Sequence, residues 1–413
     1  MIKNINNIIF IAVSSLITIN YTFFSHRIIF RENPYITADW LINYQGGFVR
    51  RGFIGEILFQ LNNFLKIDIL HLVFFLNLIT ILIFFFLIYK IIKSSLSNQL
   101  FLLYCLIPST LMFTFFDPLA AARKDYFIVL PYLFYAFFLD RLNLNLKIFI
   151  ILFLIISILT HELTFFFIPF LFAVKSLNYP DMKLNLKNYK FEIYCLIAAC
   201  STILSLMIFK NPHSALLCES LTNLKLSANI CNGVIRDFSN PIFFTKDSFI
   251  RVLNIVNDKN YFTNHSIYLF LNFLPIIIIL LNKKLAQKIR IKFLLLSIIS
   301  TLFLLPLILI TTDWGRYLNV LFIIHIVYLH FLIKNLRLVN FELSTIKKII
   351  IIPILFLYLT SWHMPHCCQV KVGNGFYYVG ERILFRINDE SNETHKFGKD
   401  TAREIVKYIF GFF

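Results

Sequence analysis

Long apolar runs with almost no charge dominate this sequence and set its solvent. Eleven can be delimited, at 7–24, 69–89, 100–116, 119–139, 148–159, 163–174, 192–209, 266–282, 293–310, 317–333 and 349–362. A helix crossing the hydrocarbon of a bilayer needs about 20 apolar residues. Of the 413 residues, 58% are apolar and 15% are charged, against about 45–50% and 25% in soluble domains. Phenylalanine alone fills 49 positions. This balance excludes a disordered chain, a disulfide scaffold and an ordinary soluble enzyme. It predicts an all-α, polytopic transmembrane bundle of about eleven spans, with 1–413 as a single integral membrane domain.

Two runs, 148–159 and 163–174, are too short to cross singly and flank Thr160-His161-Glu162. One continuous span would bury His161 and Glu162 near mid-membrane, where a charge costs at least ~2.5 kcal/mol on insertion scales. A broken or re-entrant pair over 148–174 would instead put them in a cavity open to water. The distribution of charge favours the break. With it, one side collects 18 of the 39 basic residues but only Asp140, Asp181, Glu192 and Glu342 among the acids. Its short lysine-rich loops make that side cytoplasmic. The net charge of +17 is thereby explained by topology, and no nucleic-acid partner is expected. The other side carries the outer loops 25–68 and 210–265 and an outer C-terminal tail, 363–413. The tail has room for an amphipathic helix near 399–412, with Ile405, Tyr408, Ile409 and Phe412 along one side. The first run follows Met1-Ile2-Lys3 with no small-residue cleavage site and reads as a retained anchor.

Cys105, Cys195 and Cys200 fall inside spans and are expected only to pack. Cys218 and Cys231 share an outer loop, where an oxidising exterior would permit a bridge. Cys367 and Cys368 in the tail compete for that pairing, so spacing leaves it open. His363, His366, Cys367 and Cys368 match no standard zinc spacing, and neither metal nor cofactor is expected.

Polar residues cluster four times, each time on the outer face. Asp39 to Glu56 holds Gly46, Gly47, Gly52 and Gly55, four of the chain's eleven glycines, around Arg50 and Arg51. Gly46, Gly47 and Gly52 would let the backbone approach a ligand closely. Tandem arginines offer planar forks for phosphate oxygens. The alternative is an interfacial loop with Trp40 and Phe48 in the aromatic belt. In the second cluster Asp117 caps a helix that starts at Pro118, which would set Arg123, Lys124 and Asp125 two turns inside. Buried charge at that depth marks a site, unless the side chains snorkel. The third is His161-Glu162, a pair suited to proton transfer or to capping the second half-helix. The fourth is Thr311 to Tyr317. There Asp313 and Arg316 can meet on one helical face, either as part of a site or as an ion pair at a helix start.

Together these groups can meet in one cavity. Arg50, Arg51, Arg123, Lys124 and Arg316 would hold a diphosphate, and Asp39, His161, Glu162 or Asp313 would take a proton from an incoming hydroxyl. The cations would also stabilise charge developing on a phosphate leaving group. That is the chemistry of glycosyl transfer from a polyprenyl-linked donor.

Arg123-Lys124 leading a helix, followed by short helices around His161, resembles the Arg-helix-His pattern of some exopolysaccharide polymerases. Span number, Phe/Ile/Leu-rich composition and arginine-bearing outer segments are likewise similar to bacterial O-antigen and capsule repeat-unit polymerases. The resemblance implies a bacterial inner-membrane (cytoplasmic membrane) protein with a periplasmic active face. It would join undecaprenyl-diphosphate-linked oligosaccharide units, with a chain-length regulator and a flippase as partners. In it arginines would bind the diphosphate and a carboxylate or histidine would activate the acceptor sugar. A second expectation is a multispan glycosyltransferase that uses a polyprenyl-phosphate-linked sugar, with Asp39 or Glu56 as the acid in its first outer loop. A third, a flippase or transporter of lipid-linked glycans, predicts inverted repeats and pathway charges on both faces, which the sequence does not display.

Overall fold

The computed structural model describes residues 2–182, 185–209, 213–237, 246–258, 261–281 and 287–335. The run 349–362, the tail 363–413 and the helix expected near 399–412 lie outside the described residues. Every described element is helical. In chain order they are α1 (Ile2–Phe30), α2 (Thr37–Leu41), α3 (Gly52–Leu65), α4 (Ile69–Ile92), α5 (Gln99–Cys105) and α6 (Phe113–Phe116). Then come α7 (Asp125–Phe138), α8 (Leu144–Thr160), α9 (Pro169–Asn178), α10 (Lys190–Ile208), α11 (Ser214–Thr222) and α12 (Val234–Asp237). The remainder are α13 (Lys246–Asp258), α14 (Tyr261–Leu280), α15 (Gln287–Leu302), α16 (Leu305–Ile310) and α17 (Trp314–Asn335). Five stretches among the described residues are long and apolar enough to cross a bilayer: Ile5–Phe30, Ile69–Ile92, Leu186–Ile208, Gln287–Leu309 and Trp314–Lys334. They are the signature of a membrane protein.

The bundle has two chemically distinct ends. At the lysine-rich end, Asn6 donates to the Leu96 carbonyl (2.8 Å), Lys175 reaches Glu192 (3.0 Å), and Lys292 reaches the Pro180 carbonyl (3.1 Å). Asp140 there accepts from Asn178 (2.7 Å) and Tyr179 (2.8 Å) and faces Lys334 at 3.5 Å. Asp140 precedes α8 and Asn178 ends α9, so the chain leaves and returns to the same end within 144–178. The pair over 148–174 is therefore a broken hairpin, as the charge distribution predicts.

The break is built from its own side chains. His161 is extended (φ −162°), Glu162–Phe167 form a 3-10 turn, and Pro169 opens α9 at a position that needs no N–H donor. Thr164 Oγ1 donates within reach of the Ser157 (3.1 Å) and His161 (2.9 Å) carbonyls, and the His161 N–H returns to Ser157 (2.8 Å). Irregular backbone at this depth persists where its polar groups are met internally.

The runs 100–116 and 119–139 differ from single helices. Pro108 cannot continue α5, which stops at Cys105. Thr110 Oγ1 covers the freed carbonyls of Tyr104, Cys105 and Ile107, and Asn319 Nδ2 covers those of Ser109 (3.0 Å) and Thr110 (2.7 Å). Asn272 of α14 bonds the Ser109 hydroxyl. Beyond Asp117 the helix expected to start at Pro118 is only the short 3-10 turn Pro118–Ala120. Ala122 is left-handed (φ 63°), and α7 begins at Asp125. Arg123 and Lys124 thus precede a helix instead of lying two turns inside one.

The segment read as an outer loop from residue 25 also folds differently. α1 continues to Phe30, with Ser25 and Arg27 buried against protein. All of α2 is buried, and α3 packs on α2, α4 and α8. Cys218 and Cys231 form a disulfide with Cα atoms 5.8 Å apart. Cys105 and Cys195 are free and buried, and Cys200 is half-buried.

Tyr35 and Tyr179 are both exposed, in turns at opposite ends of the bundle. Tyr35→Cys and Tyr179→Cys, each in a chain whose other unpaired cysteines are replaced, should react with a membrane-impermeant maleimide from opposite faces. Labelling from one face would refute this topology.

Candidate functional site

The site forms where the first inter-helix loop meets the break after α8. α2 is held by its own surroundings: Thr37 Oγ1 donates to the Ile28 carbonyl (3.1 Å) and Trp40 Nε1 to that of Ala122 (2.5 Å). Trp40 is fully buried, so it is no belt residue. This places Asp39 inside the bundle, facing the turn that carries Arg50 and Arg51. Arg51 is the left-handed N-cap of α3 (φ 63°), a conformation few non-glycine residues adopt. It turns the side chain inward.

Arg51 spans two carboxylates. Its Nε (2.9 Å) and Nη2 (2.7 Å) form a fork on Glu162, and its Nη1 reaches Asp39 Oδ1 at 3.1 Å. Arg50 adds a bond to Glu162 at 2.9 Å. Lys124 donates to the main-chain oxygens of Asp39 (2.6 Å) and Thr160 (3.2 Å), with Asp39 Oδ2 at 3.7 Å. His161 lies beside Glu162, its Nδ1 3.8 Å from Oε2. Asp39, Arg50, Arg51, Lys124, His161 and Glu162 are thus brought together from segments more than a hundred residues apart.

A second node adjoins the first. Arg316 of α17 grips Asp125 with Nε (2.8 Å) and Nη2 (2.6 Å), and Asp313 with Nη1 (2.6 Å). Asp125 follows Lys124 directly in the chain, so the two nodes adjoin at the start of α7. The expected Asp313–Arg316 pair is present. The stronger partner, Asp125, was missed as an Arg316 ligand, although a carboxylate at that depth demands a cation. Arg123 stands apart. It is half-buried, makes one long contact to the Leu119 carbonyl (3.5 Å), and pairs with no carboxylate among the described residues.

The glycines are accounted for by packing. A Cβ on Gly46 would lie 2.4 Å from the His213 carbonyl, on Gly52 2.4 Å from the Tyr44 ring, and on Gly55 1.9 Å from the Ile42 carbonyl. Gly47 (φ 97°) closes the turn, its N–H on the Tyr44 carbonyl at 3.0 Å. The Gly46 carbonyl accepts from His213 (2.7 Å), which seats the disulfide-bearing segment on this loop.

Charge states follow from the contacts. Burial would raise the Asp39 carboxyl, but Lys124 and Arg51 outweigh it and hold Asp39 below the usual carboxylate range. Burial likewise opposes ionisation of Glu162, and Arg51 and Arg50 hold it well below that range. Burial, reinforced by Arg51, pushes His161 down to about 3, so the ring is neutral. Its Nδ1 accepts from the Leu163 N–H (3.2 Å), which assigns the ring proton to Nε2. His161 is therefore set as a donor. Glu162, clamped by two arginines, is poorly placed to take a proton, whereas Asp39 meets Arg51 through one N–H and Lys124 at 3.7 Å, fewer close donors than Glu162 has. Among the described residues no three His, Cys, Asp or Glu side chains are grouped to hold a metal ion.

A neutral buried histidine stabilises the fold above its ordinary pKa of about 6.5 and ceases to as pH falls toward the folded value. The melting temperature of the purified protein should therefore decline as pH drops from 7 to 4. His161→Gln, which can still accept from Leu163, should flatten part of that decline. Parallel profiles would contradict a buried neutral ring.

Compared with known proteins, the chain matches no family model, no curated protein and no solved structure.

Proposed function

We propose that this chain is an integral-membrane glycosyltransferase that joins undecaprenyl-diphosphate-linked oligosaccharide repeat units at the periplasmic face of a bacterial inner membrane, as in O-antigen or capsule synthesis. One observation carries the reading: a charged network gathered from distant segments and buried at one end of an apolar bundle. Buried charge is costly, and chains that retain it in a membrane use it.

In this reading the chain crosses eleven times, with each half of the broken pair 148–159 and 163–174 counted as a pass and 349–362 as the last. The lysine-rich end is cytoplasmic by the positive-inside rule. The opposite end carries the Cys218–Cys231 disulfide, which suits an oxidising compartment. Arg123 offers its guanidinium to the diphosphate. Asp39 accepts the proton of the attacking sugar hydroxyl, and His161 Nε2 donates toward developing negative charge. Arg316, held by Asp125 and Asp313, fixes α17 beneath the site.

A second reading, transfer of one sugar from a polyprenyl-monophosphate, is favoured by the placement of Asp39 on a short buried helix directly after the first span. A deletion strain separates the two when its surface glycan is run on a gel. Product that stops at one repeat supports the polymerase, a full ladder lacking one side sugar supports the second reading, and loss of all surface glycan overturns both. Arg51→Ala and Arg123→Ala should each abolish elongation with the protein still present in the membrane, and Lys at either position should restore only part of it, for want of a fork. Wild-type ladders from both alanine variants would remove the proposal.

A further inference from the structure

Lys124 follows Arg123 in sequence, and the two look like a matched pair of phosphate ligands. Their surroundings differ. The Lys124 side chain is 0% exposed. Its Nζ lies 2.6 Å from the Asp39 carbonyl, 3.2 Å from that of Thr160 and 3.4 Å from that of Arg51. An ammonium has three N–H donors and no acceptor, so these main-chain oxygens use all it has. The Trp40 ring, its centroid 5.6 Å from Nζ, adds a cation–π contact.

The three oxygens belong to three segments. Asp39 lies on α2, Arg51 is the left-handed cap of α3, and Thr160 ends α8. The Thr160 carbonyl is among those a helix end leaves without an intrahelical partner, at the pole that attracts cations. We propose that Lys124 is a positioning residue that fixes where the Asp39 carboxylate stands relative to Arg51 and the end of α8, and that it takes no part in holding phosphate.

The charged and titratable groups that face Asp39 are Lys124 ahead of α7, Arg50 and Arg51 ahead of α3, and His161 after α8. The charges of Lys124 and Arg51 are the main opposing influences that keep the carboxyl ionised against burial. The inference rests on the glycosyl-transfer reading only in naming Asp39 the base; the contacts and their linkage to pH stand without it.

The test uses the purified full chain in nanodiscs, melted between about pH 1.5 and pH 8, as wild type, Lys124→Met, Asp39→Asn and the double variant. A carboxyl held low contributes stability above its ordinary pKa of about 4, which is lost as pH falls through the folded value. Without Lys124 the folded value rises toward the ordinary one, so the acid limb should become shallower and level off about one pH unit higher. The double variant should show no such shift relative to Asp39→Asn. Inorganic pyrophosphate affinity, read by calorimetry, should stay within twofold in Lys124→Met and fall about tenfold in Arg123→Ala. An unmoved acid limb, or a tenfold loss of pyrophosphate affinity in Lys124→Met, overturns the inference. If wild type binds no pyrophosphate, the glycosyl-transfer reading fails while the acid limb still decides the role of Lys124. Lys124→Gln, neutral but still a donor, replaces the Met variant if that does not fold, with the same expected shift.

Discussion

The fork of Arg51 on Glu162 ties the loop after α1 to the break after α8, and the polar interior is arranged around it. A guanidinium and a carboxylate taken out of water each lose several kcal/mol of hydration, which only close, multiply bonded geometry offsets. Here Glu162 is met by three N–H donors from two arginines, and Arg51 divides itself between Glu162 and Asp39. Removing one partner of such a pair costs about 3–5 kcal/mol, because the other is left buried and charged. The contact therefore constrains backbone as well as charge. It needs Arg51 left-handed, Glu162 at the start of a 3-10 turn and Asp39 on a buried one-turn helix, and each appears.

Much of this was legible in the sequence where a single residue type carries the physics. A charge amid leucine and phenylalanine must reach water or a partner, which exposed the break at His161. Lysine-rich loops identified one end of the bundle. Asp313 and Arg316 lie one helical turn apart, and their pairing follows from that spacing. The fork on Glu162 joins residues 111 apart in sequence, and no local pattern encodes a distance of that kind.

What stayed hidden was mostly main chain. The interruption between α5 and α7 rests on Thr110, Asn319 and Asn272, ordinary polar residues that acquire meaning only when three helices meet. The partners of Lys124 are carbonyl oxygens, which every residue possesses. Glycine misled in the same way. The cluster at 46–55 reads as an opening for a ligand, yet three of its glycines are small because protein already occupies the space, with Gly55 lying under the Ile42 carbonyl. A glycine signals close approach without naming what approaches.

α17 differs from the other long apolar helices in its setting. Nearly all its side chains are enclosed by protein, whereas α1, α10 and α15 turn much of their surface outward. Sliding or tilting it would disrupt packing on every side at once, and close-packed interiors resist such displacement. It therefore acts as a fixed mast, and any helix that shifts does so in the rigging around it.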